Sequence, residues 1–255
     1  MTPEPAVTSG PAGSGVSWFE RAGGIRRRFT TRHGGASKPP YDSLNLGGSV
    51  GDDPVAVDAN RARVAAAAGL SPGEVVWMRQ VHSATVTAVT GDGPVVDDCD
   101  GVVTDRPGVG LAVLVADCVP LLAGDPVAHV IAAVHAGRRG AAGGIAVRML
   151  DQMTALGASP GGITVVLGPA ICGRCYEVPL SMRDEVADTL PGSASTTDRG
   201  TPGLDLRAGL ARQLRAAGAA DVVVDPRCTY TESSLFSHRR GAPTGRFAGL
   251  IWMPR

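Results

Sequence analysis

Residues 111–140 read LAVLVADCVPLLAGDPVAHVIAAVHAGRRG, and no other stretch constrains the fold as tightly. Residues 111–116 and 127–134 are aliphatic runs of strand length, and Gly124, Asp125 and Pro126 between them are turn formers. Uninterrupted runs of this kind predict two strands buried in a core rather than strands with one wet face. Cys118 follows the first run and His135 follows the second, so if the two strands pair, both side chains reach sheet ends, where sites are commonly built. The glycines at 137 and 140 then let the backbone turn into a helix predicted over 140–156.

The rest of the chain supplies layers for such a core. Asp52 and Asp53 before Pro54 cap a helix predicted over 55–68, and further helices are predicted over 180–190 and 205–217. In the last of these, Leu206, Leu210 and Leu214 form one apolar stripe. Strands are predicted over 24–32, 75–82, 85–89, 100–105, 163–167, 222–224 and 247–253, so that His82 closes a third strand. The irregular interleaving predicts a layered α/β domain with α+β-like mixed sheets rather than a regular doubly wound sheet. A chain of 255 residues lies within the range of one large domain, and neither a linker nor an internal repeat divides it. Residues 1–16 are rich in Pro, Gly, Ser, Thr and Ala and predict a disordered tail, leaving 17–255 as one folded domain.

His82, Cys118 and His135 together offer one thiolate and two imidazoles. Three such ligands with a fourth position open is the usual form of a catalytic zinc site, but the separations are too long for a compact finger. Buried structural residues, or a Cys–His nucleophile pair, are equally compatible with these residue types. A multicopper oxidase centre needs more than the five histidines present, which makes copper the weaker choice.

Cys172 and Cys175 form a lone CxxC, with no second pair to complete a zinc knuckle, and are read as incidental thiols, as are Cys99 and Cys228. His129 lies in an apolar run and is expected in the core, whereas His33 and His238 sit beside arginines in loops and suit an anion. Arg32, Arg61, Arg138, Arg139, Arg239, Arg240 and Arg246 fall near predicted loops, where guanidinium forks bind phosphate or carboxylate if they are not simply solvated.

Lys plus Arg equals Asp plus Glu at 24 each, so no global field favours nucleic acid or an anionic membrane. No apolar segment reaches a membrane span, the first residues lack a signal-peptide pattern, and the five cysteines form no disulfide framework, which together predict a cytoplasmic protein.

Several separate motifs, in order, carry a family resemblance: TTRHGGASKPPYDSLNLGGSVGDD, Asn60-Arg61, RQVHSATV, ADCVPLL, VHAGRRG, GPAICGRCYEV and FSHRRGAPTGRFAGLIW. From about Arg27 to the C-terminus the chain resembles the laccase-domain, or purine nucleoside phosphorylase, family, formerly described as polyphenol oxidases and including the peptidoglycan editing factors. One departure is Arg138, where the family usually has tryptophan.

The resemblance implies a single α/β/β/α layered domain with zinc held by His82, Cys118 and His135 beside a purine nucleoside pocket. It further implies phosphorolysis of adenosine, inosine, guanosine or methylthioadenosine, with adenosine deamination as a second activity. Arg32, Asn45, Arg61 and Arg139 lie in family motifs and by type suit phosphate, ribose or base. The expected partners are the nucleoside and phosphate, with no nucleic acid, membrane or obligate protein partner. Two other functions fit the same residues: a Cys–His amide hydrolase editing peptidoglycan precursors, with Cys118 as nucleophile and His135 as base, and a non-catalytic nucleotide- or cell-wall-linked binding module.

Overall fold

A computed structural model of the protein describes residues 7–9, 16–20, 24–90 and 95–255. In chain order its strands are β1 (Val7–Ser9), β2 (Val16–Glu20), β3 (Arg26–Thr30), β4 (Val75–Met78), β5 (Val86–Ala88), β6 (Val95–Val96), β7 (Gly101–Thr104), β8 (Gly110–Val115), β9 (Val119–Asp125), β10 (Val130–Ala136), β11 (Thr164–Leu167), β12 (Ala194–Thr196), β13 (Pro202–Leu204), β14 (Asp221–Val224) and β15 (Phe247–Trp252). The helices are α1 (Pro54–Ala67), α2 (Arg138–Ala142), α3 (Ile145–Ala155), α4 (Leu180–Thr189) and α5 (Leu206–Ala216).

Two mixed sheets dominate. One runs β1-β2-β3-β15-β8-β4-β6, the other β14-β11-β9-β10-β7-β5, and β12 and β13 form a small separate pair. The period-2 alternation of strand side chains decides which residues meet. In β10, Val130, Ala132, Val134 and Ala136 face Ile145, Met149 and Met153 of α3. Ile131 and Ala133 face the other way, toward Leu111, Val113 and Val115 of β8 and Phe29 of β3. On the far side of the first sheet, Ala112, Leu250 and Trp252 pack against Val64 and Ala65 of α1. The order of layers is therefore helix, sheet, sheet, helix, as the motifs implied.

Local signals account for the helix ends. The Asp53 side chain accepts from Val55 N at the start of α1, with Pro54 in the first turn. Asp205 does the same for Ala208 N at the start of α5, which buries Leu206, Leu210 and Leu214.

Five sequence readings change. The runs at 111–116 and 127–134 do not pair: β8 lies between β15 and β4 in one sheet, and β10 lies between β9 and β7 in the other. The chain crosses from one sheet to the other through residues 116–118, and the strand β9 that follows extends through Asp125, so the turn moves to residues 126–129. His129 is consequently exposed in that turn, with φ of 54°, and is not a core residue. The helix expected over 140–156 is two helices, because Gly144 adopts φ of 80°, which only glycine takes without strain. The strand expected over 75–82 stops at Met78. The expected tail over 1–16 falls mostly outside the described residues, and within it Val7–Ser9 pairs with β2.

Candidate active site

His82 and Cys118 come from two different connections and His135 from the end of β10, and the three meet at one end of the inter-sheet layer. Their ligand atoms all lie within 4.8 Å of one another, forming a candidate metal-binding group. The Cys118 sulfur is 3.9 Å from His82 Nε2, and the two imidazole rings stand edge to face at 4.7 Å between centroids. His135 is buried, Cys118 half-buried and His82 exposed, so the group grades from the core to the floor of an open cavity of about 700 Å³.

Each donor has a reason to be where it is. His135 falls on the inter-sheet face of β10 by simple alternation with Ile131 and Ala133. Cys118 ends the crossing between sheets, after Asp117 at φ of 96°, a conformation costly for a residue with a side chain. That conformation is held by Thr229 Oγ1 and Arg239 N, which donate to the Asp117 carboxylate at 2.6 and 2.7 Å, and by Ile171 N on its carbonyl at 3.0 Å. His82, at φ of 61°, sits in a loop wrapped around a carboxylate that the sequence reading had treated only as the start of a strand.

That carboxylate is Asp100, fully buried. Its Oδ2 accepts from Val81 N, Ser83 N and Ser83 Oγ at 3.2, 2.6 and 2.8 Å. Its Oδ1 accepts from His82 N at 3.0 Å and lies 2.7 Å from His135 Nδ1. One side chain thus fixes the loop of the first histidine and the ring of the second. With Nδ1 of His135 engaged by Asp100, Nε2 is the nitrogen left for a ligand, the carboxylate–histidine arrangement common at metal sites. The only hint in the sequence was an acid opening a short strand, and many acids do that.

Electrostatics follow from this packing. Burial opposes ionisation of Asp100, yet the hydrogen bonds from His135 and Ser83 outweigh it and hold the carboxyl at about 2. Burial likewise disfavours the Cys118 thiolate, but the charge and hydrogen bond of His135, then His82, lower it to about 6. His135 is raised to about 9 against its burial by the Cys118 charge and by Asp100. Both shifts run in the direction of an ion pair, a thiolate beside an imidazolium.

Glycine is required twice. A Cβ at Gly137 would lie 2.7 Å from His82 Cδ2 and 3.3 Å from the Cys118 sulfur, and one at Gly140 would lie 2.6 Å from the Ser83 carbonyl oxygen. The close approach of the His82 loop to the start of α2 therefore depends on both.

Of the other expected contacts, Arg61 lines the cavity, stacked on Trp77 at 4.4 Å. Its Nε donates to Leu46 O at 3.0 Å, and its terminal nitrogens have no hydrogen-bond partner among the described residues. Arg32, Asn45 and Arg139 lie outside the lining. Arg32 pairs with Asp42 at 3.2 Å, and Asn45 is buried, bridging Asp52 Oδ2 and Arg246 N at 2.8 Å each. Arg139 donates to Val81 O at 3.3 Å and so braces the His82 loop. Arg138, the departure from the family motif, lines the cavity with His238, Arg239 and Arg246. Three of these four are among the arginines near predicted loops, and nothing in their spacing distinguishes them from Arg32 or Arg240, which lie outside the lining.

Residues 26–254 match the family model described as multi-copper polyphenol oxidoreductase laccase. A Mycobacterium tuberculosis protein named purine nucleoside phosphorylase is 58% identical over 232 residues, covering 90% of this chain and 92% of that protein. A Deinococcus radiodurans protein of the same name is 42% identical over 91% of this chain and 90% of its own length. Among solved structures, YlmD from Geobacillus stearothermophilus superposes with a TM-score of 0.90 at 36% identity, covering 99% of this chain and all of that one. No helix among the described residues is long and apolar enough to cross a membrane.

Proposed function

The chain belongs to the family described as multi-copper polyphenol oxidoreductase laccase, and on that premise we propose that it is a zinc-dependent purine nucleoside phosphorylase. The substrates are adenosine, inosine, guanosine and methylthioadenosine, with adenosine deamination as a second outcome at the same site. The observation that carries this reading is the donor set itself: one sulfur and two imidazole nitrogens, one imidazole oriented by a buried carboxylate, opening on a cavity of nucleoside size. Relatives bearing the phosphorylase name over nine-tenths of the chain support it.

The residues fit zinc better than the copper of the family's description. A multicopper centre is built from many histidines, whereas the chain has five and only two reach this group. His82, Cys118 and His135 would hold the ion with one position left open, from which zinc supplies Lewis acidity toward phosphate or water.

The chain's own residues then do the positioning. Arg61 and Arg138 line the cavity as cations for the phosphate dianion, and the free edge of Arg61 presents donors in a fork. Trp77 and Tyr176 line the cavity as apolar walls for base and sugar. In phosphorolysis a phosphate oxygen forms the bond to the anomeric carbon as the bond to the purine nitrogen breaks, and the departing purine takes up the proton that hydrogen phosphate gives up on becoming the ester. Asp100 keeps His135 in one tautomer and orientation throughout, at no reorganisation cost during the reaction.

The deciding experiment follows adenosine with and without phosphate in the zinc-loaded and the chelated protein. Adenine and ribose 1-phosphate are expected only with both phosphate and metal, and inosine when water attacks the base instead. Base release that needs neither phosphate nor metal overturns the reading.

The thiolate character of Cys118 favours one other reading, the Cys–His amide hydrolase acting on peptidoglycan precursors. Selective alkylation of Cys118 that abolishes amide hydrolysis by the metal-free protein supports it, and absence of any amide turnover removes it.

A further inference from the structure

Cys172, Cys175 and Cys228, read from sequence as unrelated thiols, are brought together by the fold. Their three sulfurs lie within 4.8 Å of one another, on loops behind the cavity wall, and none is in a disulfide. Cys172 and Cys175 occupy one tight turn, in which the Cys172 carbonyl accepts from both Cys175 N and Tyr176 N at 2.9 Å. Gly173 inside the turn has no room for a side chain, since a Cβ there would lie 2.5 Å from Ser195 Oγ. Cys228 approaches from the far loop, joined to the first by a bridge between Ala170 and Cys228 and by Thr229 N donating to Ala170 O at 3.2 Å.

The surroundings suit metal thiolates rather than resting thiols. The Cys172 N–H donates to the Cys228 sulfur at 3.3 Å, and backbone N–H groups of Tyr230 and Thr231 also turn toward it. Amide donors aimed at sulfur stabilise a thiolate and orient it, as outer partners do around bound ions. Cys228 is only 9% exposed, so these donors act with little competition from water. Sulfurs bound to one ion at about 2.3 Å stand roughly 3.8 to 4 Å apart, so closing the group needs a movement of less than about an ångström.

We propose that Cys172, Cys175 and Cys228 form a second metal site, which takes one thiophilic closed-shell cation, zinc or monovalent copper, as a staple between the 170–176 and 228–232 loops. Each thiol that binds releases its proton to solvent. Three thiolates complete a trigonal copper site or leave a fourth position on zinc for water. Both stapled loops also hold Asp117, through Ile171 N on its carbonyl and Thr229 Oγ1 on its carboxylate. The staple therefore braces the strained residue that precedes Cys118, without contributing a ligand to the active site. The proposal is independent of the nucleoside reading.

The test loads the full-length reduced chain with zinc in one arm and with monovalent copper in the other, removes free ion, and measures bound metal beside cysteine alkylation by mass spectrometry. In at least one arm the wild-type chain should retain two ions, Cys118→Ser one of the same kind, and Cys118→Ser combined with Cys172→Ser and Cys175→Ser none. Alkylation of Cys172, Cys175 and Cys228 in Cys118→Ser should slow by about tenfold or more on loading and recover with a chelator. If the triple variant does not fold, this protection in the single variant decides. Equal alkylation of the three thiols with and without either metal overturns the proposal. So does an intact mass short of two hydrogens with no bound ion, which would mark a disulfide instead. Loss of phosphorolysis dependence on metal would sink the functional reading and leave these readouts unmoved.

Discussion

Two groups of three donors stand close together in this protein, and they are built on opposite plans. His82 sits in a loop, Cys118 and His135 at the ends of strands, and together they mix nitrogen with sulfur, depend on one buried carboxylate, and open on a cavity. Cys172, Cys175 and Cys228 sit on loops and are all sulfur, with backbone N–H groups turned toward Cys228. The difference teaches that the environment of a donor set, more than its size, is what would separate an exchangeable metal position from a structural one. An exchangeable position needs access and a fixed ligand field. A staple needs desolvation and charge compensation from the chain itself.

The largest contrast should appear in turnover. His135→Ala or Cys118→Ala should lower kcat/KM for phosphorolysis by at least about a hundredfold, because an open metal position vanishes with its ligand. Cys172→Ser with Cys175→Ser should stay within about tenfold of wild type in the same assay, and an equal loss in both variants would erase the distinction.

Asp100→Asn tests whether the first plan hangs on one carboxylate. It removes the negative partner of His135 and leaves donors facing a buried amide, so unfolding by denaturant should show a cost of about 3 to 5 kcal/mol. Metal affinity, followed by titration, should fall about 10- to 100-fold. Unchanged affinity would mean that the strand ends alone hold the histidines.

A smaller effect is expected from Gly137→Ala, whose methyl would press on His82 Cδ2. Backbone φ there is −74°, so no conformational strain is added and stability should change by only about 1 kcal/mol. Metal occupancy of the triad should fall while that of the thiol group stays, as measured in the Cys172→Ser and Cys118→Ser backgrounds respectively.

The smallest effect sets the floor and lies away from both groups. The Ser71 backbone N–H, then the Arg255 side chain, hold the Glu74 carboxyl at about 2, below its ordinary 4.5. A lowered acid stabilises the fold above its unfolded value and loses that contribution as pH falls toward its folded one. Melting temperature should therefore decline between about pH 4.5 and 2 slightly more in wild type than in Glu74→Gln, by calorimetry, with no change in metal content.

Much of this was legible in advance. The aliphatic runs announced buried strands, aspartates before α1 and α5 marked helix starts, and His82, Cys118 and His135 were recognisable as one set through ordered motifs. These are local signals, carried by periodicity, capping and residue type within a few positions of chain. What stayed hidden was long-range. Nothing near residue 116 says that the chain changes sheets there, and nothing near Asp100 says that its carboxylate meets a loop 17 residues earlier and a histidine 35 residues later.

The sequence by itself determined the layered class, the starts of α1 and α5 and the choice of His82, Cys118 and His135 as a candidate donor set, because side-chain period and residue chemistry are properties of a segment. Only the tertiary structure decided that Asp100 governs both histidines, that Arg138 rather than Arg139 lines the cavity, and that three scattered cysteines converge. Those outcomes depend on which distant backbones pack within a hydrogen bond of one another, and a linear pattern does not carry that distance.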